Sequence, residues 1–255
     1  MKIKYLFLLF IVGSISCRKP PEINDRTYLT QSVLWYQHSA EMHALYYQAF
    51  NWAGLIVRER SELIYEKPTA VILDIDETVL DNSPVAGYQI LENVPFSDKL
   101  WEKWCNKADA EPLPGSVEFT RLADKLGAEV FYVSNRTENL LGVTISNLQK
   151  HGFPNADSTH ILLKKETSSK ELRNSSIRKN FEIILIIGDN LSDFDEAFEE
   201  RFNDRAKMLA RDQSELFGTE YIVLPNPVYG SWDNPFRAGE ELASEKRKKA
   251  LISFK

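Results

Sequence analysis

Two acids one residue apart, at the end of an apolar run, are the first residues in this chain equipped for chemistry. In Ala70-Val-Ile-Leu-Asp-Ile-Asp-Glu-Thr-Val-Leu-Asp-Asn82 the run 70–73 follows Pro68 and stops at Asp74, Asp76, Glu77 and Thr78. A short apolar run of this kind reads as a strand buried on both faces of a parallel sheet. Ligands of open α/β sheets bind beyond the carboxyl ends of strands, which is where these acids fall. Asp74 and Asp76 point the same way on an extended backbone, and paired carboxylates repel unless a cation lies between them or one holds a proton. Glu182-Ile-Ile-Leu-Ile-Ile187 repeats the pattern and ends in Gly188-Asp-Asn-Leu-Ser-Asp193. If the two strands are neighbours, Asp74, Asp76, Asp189 and Asp193 converge on a hard oxygen site suited to Mg²⁺.

A strand-end carboxylate beside Mg²⁺ can act as a nucleophile toward phosphorus. A second carboxylate two residues on can protonate the leaving oxygen and later activate water. Phosphoryl transfer needs little beyond in-line positioning and neutralisation of the oxygen charges. Ser134, just after the apolar stretch Ala128–Val133, is placed to donate to a phosphoryl group, and Lys164, Lys165 and Lys170 are candidates for the positive charge.

The elements that must hold these residues alternate strand with helix. A proline-free stretch from Gln31 to Ile64 has a helical pattern, with Thr30 as a candidate N-cap and Leu34, His38, Met42, Leu45, Ala49 and Trp52 recurring at three or four residues. Gly54 is expected to divide it into two helices covering one face of a sheet, or a partner subunit in a homodimer. Strands are predicted at 70–73, 128–133, 159–163, 182–187 and 221–224, and helices at 115–127, 139–151, 168–179, 193–201 and 203–213. Residues 79–114 are punctuated by Pro84, Pro95, Pro112 and Pro114 and read as a small helical cap insertion, with one aromatic helix at 100–105, above the sheet. The alternation predicts an α/β fold, a doubly wound parallel sheet with an N-terminal helical segment.

At 255 residues, 43% of them apolar, the chain suffices for one large domain. A net charge of −6 offers no phosphate-tracking surface, so no nucleic acid is expected as partner. Four scattered histidines and two cysteines without a Cys-x-x-Cys exclude the usual zinc pattern. Met1-Lys-Ile-Lys, an apolar core from Tyr5 to Val12 and Gly13-Ser-Ile-Ser-Cys17 form a secretory signal too short to span a membrane. Cys17 after small residues resembles a bacterial lipobox, with Ser14 where a leucine-like residue is usual, and implies lipidation at Cys17. Residues 18–29 then read as a tether, 30–240 as the main domain and 241–255 as a charged helical tail. With Cys17 lipidated, Cys105 has no partner and the domain is free of disulfides.

The motifs together resemble a known family. Asp74-Ile-Asp-Glu-Thr78, Ser134 after a strand, a downstream lysine and Gly188-Asp-Asn-Leu-Ser-Asp193 look like the four motifs of the haloacid dehalogenase (HAD) superfamily. The segments 71–82 and 184–194 resemble the paired aspartate signatures of class C acid phosphatases, bacterial lipoproteins that include outer-membrane 5′-nucleotidases. The resemblance covers about residues 30–240. It implies Asp74 as nucleophile and Asp76 as general acid/base. It implies Mg²⁺ held by the carboxylates of Asp74 and Asp189 and the backbone carbonyl of Asp76, supported by Asp193. Thr78 would steady the Asp76 loop, and Thr78, Asn135 and Arg136 fall on the substrate side of the motifs. Ser134 would bind the phosphoryl group and Lys170 would be the site lysine. Trp101 and Tyr229 would stack an aromatic substrate group. The family usually has tyrosine three residues after the asparagine, where this chain has Val85, with Tyr88 nearby. The implied activity is a Mg²⁺-dependent acid phosphatase or 5′-nucleotidase acting on nucleotide-like phosphomonoesters, anchored by lipid in the outer membrane. The alternative is a non-catalytic binding or adhesion lipoprotein on the same scaffold. A dehalogenase needs neither Asp76 nor a metal, and export argues against a phosphomutase.

Overall fold

A computed structural model describes residues 26–199, 203–237 and 243–254. The signal segment, Cys17 and most of the expected tether lie outside the described residues. Five strands form one parallel sheet: β1 (Thr69–Leu73), β2 (Glu129–Thr137), β3 (Ile161–Lys164), β4 (Glu182–Gly188) and β5 (Tyr221–Val223), in the order β3-β2-β1-β4-β5. β1 is central, and its apolar residues are buried on both faces. Val71 and Leu73 pack into one hydrophobic cluster, while Ala70 and Ile72 pack into the other with Phe131, Ile186 and Phe194. Strand order reverses between β1 and β4, so a crevice opens at their carboxyl ends. There Leu73 pairs with Ile187, and the Asp74 N–H donates to the Ile187 carbonyl at 3.0 Å.

Two helices open the described chain, α1 (Thr30–His38) and α2 (Ala40–Ser61), and their break corrects the expected one. It falls at Ser39, whose backbone turns extended and whose hydroxyl caps α2 by accepting from the Met42 N–H at 3.0 Å. Gly54 lies inside α2, where a Cβ would come within 3.1 Å of Leu122 and push away α5 (Ser116–Lys125). Thr30 is the first residue of α1, with Leu29 at the cap position and no side-chain cap. The buried face is also different. Val33, Tyr36, Met42, Tyr46, Phe50, Ala53 and Val57 are buried, whereas Leu34, Leu45 and Trp52 are exposed. The break at Ser39 resets the helical phase, and apolar residues on several faces left the period ambiguous.

The segment after β1 carries an additional helix. α3 (Ser83–Leu91) precedes α4 (Asp98–Cys105), and Pro84 sits in the first turn of α3, where its missing N–H costs nothing. The remaining helices are α6 (Leu141–Lys150), α7 (Glu171–Arg178), α8 (Asn203–Asp212) and α9 (Ala243–Ala250). Around 193–201 the expected helix is replaced by 3₁₀ turns at Leu191–Asp193 and Glu196–Phe198. β2 runs past its expected end, so Ser134 and Arg136 belong to the strand. Among the described residues, no helix is long and apolar enough to cross a membrane.

Candidate active site

Asp74 follows β1 directly, and Asp189 follows β4. Asp193 returns to them through a 3₁₀ turn that Asn190 and Asp193 close reciprocally, the Asn190 N–H donating to Asp193 Oδ2 at 2.9 Å. The carboxylates of Asp74, Asp189 and Asp193 each place an oxygen within 4.8 Å of the others. This return needs a glycine: a Cβ on Gly188 would lie 2.4 Å from Asp193 Oδ2. Lys170, buried just ahead of α7, donates to Asp74 Oδ1 and lies 2.8 Å from Asp193 Oδ1. Asn226 Nδ2 donates to Asp189 Oδ2 at 2.8 Å, and its side-chain Oδ1 accepts from the Val228 and Tyr229 N–H groups.

These charges do not balance. Three enclosed carboxylates face one ammonium. Burial pushes Asp74 up to about 7, with Asp193 and Asp76 adding to the rise and Lys170 opposing it. Burial also raises Asp189 well above the usual carboxylate range, reinforced by Asp193 and Asp74. Burial disfavours the charge on Lys170, but Asp193 and Asp74 override it and hold its ammonium above the ordinary lysine value. An all-carboxylate oxygen set with surplus negative charge fits a hard divalent cation.

Asp76 belongs to a separate network. It accepts from Arg136 (Nη2 at 2.8 Å, Nε at 3.0 Å), from Asn82 Nδ2 at 2.8 Å and from Ser134 Oγ at 3.1 Å. Asn82 Oδ1 in turn accepts from the Trp104 indole at 2.7 Å, which ties α4 to the same carboxylate. Burial opposes the Arg136 charge, but Asp76 keeps the guanidinium firmly protonated. The next residue, Glu77, has φ of 61°, a left-handed conformation costly for a side chain of its size. It is fixed by Tyr46, whose hydroxyl donates to the Glu77 carbonyl at 2.5 Å, and by the Asn82 N–H, which donates to Glu77 Oε1 at 2.8 Å.

A cavity of about 590 Å³ lies over the aspartates. Among its lining residues are Asp74, Asp76, Asn135, Arg136, Lys170, Asp189 and Asp193, together with the aromatic Trp101 and Tyr229. Thr78 corrects an expectation: it is fully buried, it does not line the cavity, and its backbone N–H bonds to Ile75. Ser134 is likewise fully buried and spends its hydroxyl proton on Asp76. Arg136 lines the cavity, but its buried guanidinium serves Asp76 and the Thr144 hydroxyl, and lies 5.7 Å from the centre of the Trp101 ring. Val85 lines the cavity and Tyr88 is exposed. Lys165 pairs with Glu138 at 3.1 Å, away from the aspartates. Asn82 and Asn226 are parts of the site that the sequence did not point to. The Asn in Asp81-Asn82 and in Pro225-Asn-Pro227 was visible, but a lone Asn carries no spacing that names its partner.

The family model for HAD superfamily, subfamily IIIB (acid phosphatase), matches residues 20–232. The chain belongs to this subfamily. A crystal structure of a class C acid phosphatase from Bacillus anthracis with tungstate bound superposes with a TM-score of 0.87 at 36% identity, covering 91% of this chain and 100% of that one. Among curated proteins, a stem 31 kDa glycoprotein of Glycine max is 31% identical over 62% of this chain and 58% of its own. Acid phosphatase 1 of Solanum lycopersicum is 31% identical over 48% of this chain and 50% of its own. The matched stretch thus spans little more than half the length of these curated relatives. In subfamily terms, the Asp74–Thr78 and Gly188–Asp193 motifs sit at the ends of adjacent strands. The aromatic residues around the cavity come from elsewhere in the chain, Tyr28 from ahead of α1, Phe96 and Trp101 from the segment after β1 and Tyr229 from after β5.

Proposed function

We propose that this protein is a Mg²⁺-dependent phosphomonoesterase that prefers nucleoside monophosphates and works through an aspartyl-phosphate. The observation that carries it is Asp74 at the tip of β1, held by Lys170 in a cation-ready triad with Asp189 and Asp193. Asp76 lies two residues away in a different hydrogen-bond network. Asp74 would attack phosphorus through a carboxylate oxygen, breaking the ester P–O bond. Asp76 would give its proton to the departing oxygen, then take one from the water that splits the Asp74–phosphorus bond and releases phosphate. Lys170 would neutralise charge on the nucleophile and the phosphoryl oxygens. Asp74, Asp189, Asp193 and the Asp76 carbonyl would hold the Mg²⁺, which when bound neutralises negative charge on the phosphoryl group.

The relative with tungstate bound supports this reading, since tungstate is a tetrahedral oxyanion shaped like phosphate. The cavity is far larger than a phosphate, and Trp101 and Tyr229 line it where an aromatic leaving group would stack. Export and lipid anchoring at Cys17 complete the proposal, placing the enzyme where charged nucleotides must lose phosphate before import. A binding lipoprotein would have no need of an intact set of Asp74, Asp76, Lys170, Asp189 and Asp193. The test is phosphate release from AMP, nicotinamide mononucleotide and p-nitrophenyl phosphate, with Mg²⁺ or with EDTA. Wild type should need Mg²⁺, and Asp74→Asn should lose about 10³-fold or more in kcat. Silence of folded wild type on every ester would sink the proposal.

A further inference from the structure

Arg173 lies in the first turn of α7, three residues beyond Lys170, and the hydrogen bonds of its guanidinium all go to neutral oxygens. Nη1 donates to the Ser134 carbonyl at 2.6 Å. Nη2 donates to Asn135 Oδ1 at 2.7 Å, to the Ser169 carbonyl at 2.9 Å and to the Ser168 carbonyl at 3.2 Å. These acceptors belong to two segments far apart in sequence, the end of β2 and the turn ahead of α7. Ser134 and Asn135 come from β2, at the irregularity between Ser134 and Thr137 where its pairing with β3 shifts register. Ser168 and Ser169 lead straight into Lys170. The β2–β3 ladder skips residues 135–136 and resumes at Thr137, and Arg173 bonds to the chain at the start of that gap.

The chemistry of the donor adds a second consequence. A guanidinium has no acceptor atom, so the Asn135 amide must turn its oxygen toward Arg173. Its NH₂ group is then the polar atom that Asn135 offers to the cavity, which it lines. An amide turned the other way would present a carbonyl oxygen to an incoming phosphoryl group and repel it.

We infer that Arg173 is a positioning residue for phosphoryl transfer: it clamps the Ser134–Asn135 bulge to the Ser168–Lys170 turn and sets the Asn135 amide as a donor into the cavity. The inference rests on the phosphatase reading, and Arg173 itself is not among the residues lining the cavity. The geometry of Lys170 and Asn135 matters most in the transition state, so loss of the clamp acts on kcat more than on KM.

The test compares full-length wild type with Arg173→Ala, Arg173→Lys, Asn135→Ala and the double variant Arg173→Ala/Asn135→Ala, all assayed well below their melting temperatures. Loosened positioning should lower kcat of Arg173→Ala by about 10²-fold with KM little changed. Added guanidinium ion should restore part of it, and Arg173→Lys, with one compact donor for the planar fork, should fall between. Residues acting through one another are non-additive, so the double variant should be no worse than Arg173→Ala by more than about twofold. A kcat within about twofold of wild type despite a lowered melting temperature, or strictly additive losses, overturns the clamp. If wild type hydrolyses nothing, the phosphatase reading fails by itself and amide hydrogen exchange judges the clamp. Faster exchange in Arg173→Ala at 134–136 and 168–171, with β1 and β4 unchanged, supports it; wild-type rates in both segments overturn it.

Discussion

A carboxylate as enclosed as Asp74 resists ionisation, and burial pushes it up to about 7 even with Lys170 alongside. Between its ordinary value near 4 and about 7, the folded protein therefore binds this proton more readily than the unfolded chain does. For the metal-free protein the sign follows: Asp74 makes stability fall as pH rises through that window. A cation at the triad competes with the same proton, so affinity runs the other way. Apparent Mg²⁺ affinity, measured by titration calorimetry from pH 5 to 8, should weaken by about tenfold for each pH unit below about 7. A pH-independent affinity would remove Asp74 from the ligand set. At this scale the sequence was readable where acids sit at strand ends, as at Asp74, Asp76, Asp189 and Asp193. It was silent on Arg173 and Asn226, because neither stands in a motif that names its partner.

The helices that precede β1 do more than cover the sheet. Tyr36 and Tyr46 hydroxyls lie 2.6 Å apart in the core, and Tyr46 donates to the carbonyl of Glu77, the left-handed residue beside Asp76. α2 thereby braces the loop that aims Asp76. Tyr46→Phe keeps the ring but leaves a buried carbonyl without this donor, which should destabilise the fold by about 1–3 kcal/mol in urea denaturation. It should also lower kcat, since the strained turn is then less firmly held. Unchanged stability and kcat would show the brace to be idle. The helical span of this region was legible from its period and lack of proline. Its buried face was not, because Leu34, Leu45 and Trp52 are as apolar as the residues that turn inward, and only packing against α5 and the sheet chooses between them.

The cavity is built from parts of the chain that share no local pattern. Tyr28 comes from ahead of α1, Phe96 and Trp101 from the segment after β1, Tyr229 from after β5, and Ser244 from α9. Arg247 stacks 3.8 Å from the centre of the Tyr28 ring and pairs with buried Asp233 at 2.5 Å, so both ends of the described chain meet at the mouth. If Trp101 stacks the leaving group, Trp101→Ala should raise KM for AMP about tenfold and leave KM for glycerol phosphate within about twofold, a loss within the range of one stacked base. Equal effects on both esters would make Trp101 a packing residue. The sequence by itself determined the sheet and the aspartates at its edge, because an apolar run that ends in acids is a local pattern whose physics is local. Only the tertiary structure decided that β1 and β4 are neighbours, that Asp76 answers to Arg136 while Asp74 answers to Lys170, and that Thr78 is buried outside the cavity lining. Those outcomes depend on through-space contacts between residues far apart in the chain, and such contacts leave no period to read.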